Sequence, residues 1–118
     1  MKRIVLLFII LLMSLTYASA QNDYYIQKAK SYQIDAEYYQ KRARSYRIDA
    51  DYYLKRARSN QMDADYYARQ GNYEKTKLYN ELAAENLEKY NTYIKYALQA
   101  EEKATMYLRW AAEALSKR

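Results

Sequence analysis

The sequence predicts an all-α protein, a long antiparallel two-helix coiled-coil hairpin with helices over about residues 23–70 and 72–117. Three observations predict it. Proline is absent and Gly71 is the only glycine, so the chain can hold very few turns and must be built of long elements. Alanine and tyrosine recur by steps of three and four through both halves, which is helical spacing and never the step of two that a strand needs. The phase of that recurrence slips once, beside Gly71.

The first element is expected to be removed. Lys2 and Arg3, an apolar run from Ile4 to Met13, and a small-residue stretch ending in Ala18, Ser19 and Ala20 have the three parts of a secretory signal peptide over residues 1–20. The apolar run is much shorter than the ~20 residues of a spanning helix, so no membrane span is expected after cleavage. Cleavage after Ala20 takes the chain from 118 residues to 98 and its formal charge from +6 to +4. The product is expected to be exported, periplasmic or extracellular. With no cysteine it has neither a disulfide nor a lipidated N-terminal cysteine.

The remaining domain, residues 21–118, opens with a fourteen-residue repeat. Residues 23–36, 37–50 and 51–64 read DYYIQKAKSYQIDA, EYYQKRARSYRIDA and DYYLKRARSNQMDA. Fourteen is two heptads, and the series Ala29, Tyr32, Ala36, Tyr39, Ala43, Tyr46, Ala50, Tyr53, Ala57, Asn60, Ala64, Tyr67 falls on one helix face. Helical spacing thus overrides the strand preference of a chain with 17 tyrosines. Glu37 with Lys41, Asp51 with Lys55 and Asp65 with Arg69 place an acid four residues before a base, the better order for a helical ion pair.

A turn follows at Gly71 and Asn72. Gly71 supplies a left-handed cap to the first helix, Asn72 caps the second, and Glu74 falls in its first turn. Beyond it, Tyr79, Ala83, Asn86, Tyr90, Tyr93, Ala97, Ala100, Ala104, Tyr107, Ala111 and Ala114 form a second seam. Folding back at Gly71 sets facing residues to numbers that sum to about 143. Tyr32 then faces Ala111, Ala36 faces Tyr107, Tyr46 faces Ala97, Ala50 faces Tyr93, and Tyr53 crowds Tyr90. Rings on one helix are expected to drop into gaps beside methyl groups on the other. Asn60 and Asn86 land in adjacent layers, where a hydrogen-bonded pair would fix register. The stretch Ala64, Tyr67, Gly71, Tyr73 and Ala83 loosely matches part of a tetratricopeptide unit, but the helix before it is far too long for that family.

A hairpin uses one stripe per helix, yet the first helix carries a second. Tyr24, Ile34, Tyr38, Ile48, Tyr52, Met62 and Tyr66 recur away from the seam, and the second helix has its own surplus in Leu87, Ile94, Leu98, Leu108, Trp110 and Leu115. The first seven, with Trp110, are the candidate interaction surface, expected to meet a second copy or an envelope protein. Arg42, Arg44, Arg56 and Arg58 are candidate polyanion contacts, although such basic residues are ordinarily the solvated flank of a long helix.

Chemistry is sparse. Histidine and cysteine are absent, which removes the usual general base, the thiol nucleophile and the commonest transition-metal ligands. Asp49 with Asp51, and Asp63 with Asp65, are two apart and point to different helix faces. Ser31, Ser45 and Ser59 recur without a base in reach, and no glycine loop can cradle calcium or phosphate. No catalytic site, cofactor, metal or small-molecule substrate is expected.

The reiterated Tyr-Tyr, Ala, Ser-Tyr and Asp-Ala units at 24–66, behind a signal peptide, resemble small exported tyrosine and alanine repeat proteins encoded with conjugative transposons of Gram-negative bacteria. The resemblance implies a helical protein accessory to DNA transfer and carries over no functional residue. Three functions are weighed: a self-associating helical scaffold of the cell envelope; a periplasmic holdase, similar in make-up to the exported, basic, helical-armed chaperones of the Skp type; and a binder of DNA or anionic envelope polymers.

Overall fold

A computed structural model describes residues 20–118, with side chains from residue 22 onward, and contains two helices: α1, Ala20–Arg69, and α2, Tyr73–Ser116. They form a helical hairpin, with no strand among the described residues. The expected signal peptide lies outside the described residues, apart from Ala20 at the start of α1. The helix ends sit one to three residues from the expected ones; at the reversal the turn takes Gln70, Gly71 and Asn72 out of both helices.

The turn is built from those three residues as the sequence implies. Gly71 has φ of +73°, the left-handed conformation that glycine adopts without penalty. The Gly71 amide donates to the carbonyl of Ala68 at 3.1 Å and the Asn72 amide to that of Tyr67 at 3.0 Å. These two bonds are the Schellman pair that satisfies carbonyls left over at a helix end. The Asn72 side chain then caps α2, its Oδ1 accepting from the Lys75 amide at 3.2 Å. Thr76 donates its amide to the Asn72 carbonyl at 3.0 Å, the first bond of the new helix.

Packing falls into two units, Tyr39–Glu102, which holds the turn, and the described residues up to Tyr38 with Lys103–Arg118. In the turn unit, Tyr53 stacks on Tyr93 and Tyr67 on Tyr79, so α1 and α2 run antiparallel there. Arg47 of α1 meets Glu101 of α2, its Nε and Nη2 donating to Oε1 at 2.9 and 2.7 Å. In the other unit, Ala29, Ala111 and Ala114 form a buried cluster against which Tyr32 and Leu115 pack. Tyr32 also touches Tyr107 and Trp110, at centroid distances of 6.2 and 5.6 Å.

The core is made of methyl groups. Among the described residues every buried hydrophobic one is an alanine: six at seven-residue intervals from Ala29 to Ala64 on α1, and Ala83, Ala97, Ala100, Ala104, Ala111 and Ala114 on α2. No large side chain among the described residues is fully buried. The seam tyrosines are half-buried, and Tyr32 packs against Ala29, Ala111 and Ala114, so a ring meets methyl groups across the hairpin as expected without being enclosed by them. The alanines let the two backbones approach, and half-buried rings such as Tyr53 with Tyr93 and Tyr67 with Tyr79 stack between one helix and the other. A single helix–helix contact has no interior large enough to enclose a tyrosine.

Candidate interaction surface

The outer face of α1 follows from the same periodicity that builds the seam. Positions opposite the buried alanines recur every seven residues as Tyr24, Ser31, Tyr38, Ser45, Tyr52, Ser59 and Tyr66, with Ile34, Ile48 and Met62 beside them. All are exposed. Ile34 is 66%, Ile48 70% and Met62 72% open to solvent, and the four tyrosines lie between 52% and 58%. The candidate surface predicted on α1 is thus presented in full by the single chain, in both packing units.

Trp110 is different. It is 38% exposed and its ring meets the edges of Tyr32 and Tyr107, so it belongs largely to the packing of the hairpin itself. The rest of the α2 surplus is likewise absorbed, since Leu87, Ile94, Leu108 and Leu115 are half-buried and only Leu98 is exposed. α1 is therefore the helix with a continuous exposed apolar row.

Cations dress that face in a pattern the repeat explains. Arg56 lies over the Tyr52 ring, 5.6 Å from its centroid, and donates to the phenol oxygen at 2.8 Å. Lys28, at the equivalent position two repeats earlier, lies 5.7 Å from the centroid of Tyr24. Arg42 lies over the ring of Tyr46 and donates to its hydroxyl. The equivalent position ahead of Arg56 is Asn60, which offers no ring. Two of the four arginines expected to meet a polyanion are thus engaged with tyrosines, while Arg44 and Arg58 are exposed on the opposite flank of the row. Of the three predicted acid–base pairs along α1, Asp51 and Lys55 meet at 3.0 Å.

The two seam asparagines are not joined by a hydrogen bond. Asn86 is buried at 7% exposure and Asn60 is half-buried, so they occupy the seam as expected. No side-chain nitrogen or oxygen sealed from water lacks a partner among the described residues, so the Asn86 amide keeps access to solvent at the edge of the seam.

Other surface features are minor. An open groove of about 250 Å³ lies between the helix ends, bounded by Tyr25, Tyr32, Trp110, Lys28 and Lys117. Among the described residues no group of acidic, histidine or cysteine side chains could hold a metal ion, and no helix is long and apolar enough to cross a membrane. Sequence reasoning missed the Arg47–Glu101 pair and the contacts of Tyr96 with Tyr46 and Tyr93. Tyr93 with Tyr96, and Tyr107 with Trp110, are three residues apart on a helix, and that spacing was the available signal.

The fold and this face define a helical hairpin with an exposed apolar row along α1. No protein-family model, curated protein or solved structure matches the chain.

Proposed function

We propose that the protein is an exported, non-catalytic helical scaffold that self-associates in the cell envelope through the outer face of α1. The observation that supports this is the exposed row from Tyr24 to Tyr66, on a helix whose opposite side is already committed to the alanine seam. A helix apolar on two sides is ordinarily covered on two sides, and long exposed apolar rows are rare on soluble monomers. Tyrosine suits such a surface, because it offers area and a polar tip with few rotatable bonds. The signal-like N-terminus supports export, and the lack of histidine and cysteine supports a role without catalysis. An accessory role in a conjugative transfer system rests on the resemblance of the repeat alone.

Sedimentation equilibrium of the purified protein tests the reading. A discrete oligomer at micromolar concentration is expected, converted to monomer by the combined substitutions Ile34→Glu, Ile48→Glu and Met62→Glu while helicity by circular dichroism is kept. A monomeric parent protein would overturn self-association. The same exposed row would then favour the holdase reading, which requires suppression of aggregation of an unfolded outer-membrane protein. Binding of DNA or an envelope polyanion requires steep weakening with salt, and the engagement of Arg42 and Arg56 with tyrosines gives it less support.

A further inference from the structure

Two faces of α1 have different periods. The seam repeats every seven residues, with alanine at each of one set of positions and tyrosine, or once Asn60, at the other. Nothing in the hairpin contact calls for a repeat of fourteen. The longer period belongs to the outer face alone. There tyrosine alternates with serine, the aliphatic Ile34, Ile48 and Met62 alternate with Lys41 and Lys55, and the charges that flank the row change sign at every heptad.

The sign changes are regular. Along one flank run Lys30, Glu37, Arg44, Asp51, Arg58 and Asp65, and along the other Lys28, Asp35, Arg42, Asp49, Arg56 and Asp63. All are exposed except Asp35, which is partly so. When two parallel helices pair through a heptad row, a residue on the first flank meets the residue five further on along the second flank of its partner. For this chain those encounters are Lys30 with Asp35, Glu37 with Arg42, Arg44 with Asp49, Asp51 with Arg56, and Arg58 with Asp63. Every one joins opposite charges.

An antiparallel pairing can also set these charges in opposite pairs, but it places Ile34 and Ile48 against Ser59 and Ser45, so from the charges together with the apolar layers we infer that α1 of one copy pairs with α1 of a second copy, parallel and in register. The inference rests on the self-associating reading above and adds the partner, the orientation and the register. A slide of seven residues sets Lys30 against Arg42 and Glu37 against Asp49, and makes every flanking pair like-charged. A slide of fourteen restores opposite signs but forfeits one of the three repeats. The double-heptad period therefore specifies register, as charges beside a helical interface generally do. In that register Tyr38 and Tyr52 meet their own counterparts, as do Ile34, Ile48 and Met62. Lys41 and Lys55 share the row, and each has a stem long enough to carry its ammonium out to solvent beside the acid four residues earlier.

Disulfide trapping tests orientation independently of association, because the chain has no cysteine of its own. Ser31→Cys and Ser59→Cys each place one thiol in the exposed row, near opposite ends of the repeats. Under mild oxidation each variant is expected to form its own covalent dimer, and a mixture of the two is expected to yield little of the mixed dimer. Preferential formation of the mixed dimer would establish antiparallel pairing and overturn the inference. Association by sedimentation with no trapping of either kind would also overturn it, while leaving self-association intact. A monomer by sedimentation would remove both.

Charge reversal supplies a second test. The combined substitutions Asp35→Lys, Asp49→Lys and Asp63→Lys are expected to weaken dimerisation about tenfold or more at low salt, as are Lys30→Glu, Arg44→Glu and Arg58→Glu together. An equimolar mixture of the two variants restores all the opposite pairs and is expected to associate at least as tightly as the parent. Failure of the mixture to recover, with both variants helical, would count against the parallel register.

Discussion

Tyr53 of α1 stacks on Tyr93 of α2, with ring centroids 5.5 Å apart and planes 9° from parallel. The simple facing rule pairs Tyr53 with Tyr90, one turn away. Side chains on a helix lean toward its N-terminus. In an antiparallel pair those leans point at each other for residues offset by one turn, so the rings of Tyr53 and Tyr93 converge between their backbones. Tyr67 and Tyr79, whose planes are 8° apart, have the same offset.

This contact is expected to make the hairpin sensitive to alkali. The neighbouring Tyr53 phenol raises the pKa of Tyr93 above its ordinary value, with desolvation and the nearby Asp49, Tyr96 and Tyr46 adding to the effect. An unfolded tyrosine ionises near pH ~10. A folded group with a raised pKa contributes stability that is whole below about pH 10 and is lost as the pH rises through the folded value. Tyr93→Phe keeps the ring and removes the ionisable group. Its alkaline unfolding midpoint, followed by circular dichroism, is expected to lie above that of the parent protein, and an unchanged or lower midpoint would contradict the assignment.

Ala97 is wholly buried at 0% exposure, one of the alanines that form the buried core of the hairpin. Ala97→Leu forces the backbones apart and is expected to cost about 1–3 kcal/mol, measured by urea unfolding. Its neighbour in the chain, Leu98, is half-exposed and provides the control: Leu98→Ala is expected to change stability by less than about 1 kcal/mol. Equal losses at the two positions would contradict an alanine seam as the site of close approach.

Asn86 is the one buried polar residue among those described and has no hydrogen bond to Asn60. Its place in a seam otherwise lined by alanine carries a cost in helix preference and partial desolvation. Asn86→Ala is expected to raise stability by about 0.5–1 kcal/mol in thermal or chemical unfolding. A clear loss of stability would show that the amide makes a contact the hairpin needs.

Gly71 governs the reversal. A Cβ built there meets nothing within 4 Å, so a substitution meets only the conformational penalty of φ at +73°. Gly71→Ala is expected to cost about 1–2 kcal/mol, and Gly71→Asn less, because asparagine tolerates the left-handed region. Equal losses for the two variants would mean that space rather than backbone conformation limits the turn.

Much of this was readable from residue order, because a chain with one glycine and no proline has few ways to turn. Each of the twelve positions assigned to the α1 seam, from Ala29 to Tyr67, is buried or half-buried, and the apolar row from Tyr24 to Tyr66 is exposed. The depth of each layer was not readable. Heptad spacing says that Tyr46 faces the partner helix, but whether its ring enters the contact or lies along its edge depends on how closely alanine lets the backbones approach. Ring partners such as Tyr93, and the Arg47–Glu101 pair, depend on side-chain lean and length, which spacing does not encode. The fate of Trp110 was hidden for the same reason: its position three residues after Tyr107 allowed either solvent or the hairpin.

The reversal of a single chain at Gly71 is tested most directly by the distance between positions 47 and 101. Spin labels on Arg47→Cys and Glu101→Cys, in protein diluted with an excess of unlabelled chains, report only distances within one molecule. The parent side chains meet at 2.7 Å, so labels across two packed helices are expected within about 25 Å of each other, given an axis spacing of about 10 Å. Labels some 54 residues apart on an unbroken helix would instead lie about 80 Å apart. That longer distance, or a short one that vanishes on dilution, would contradict the hairpin.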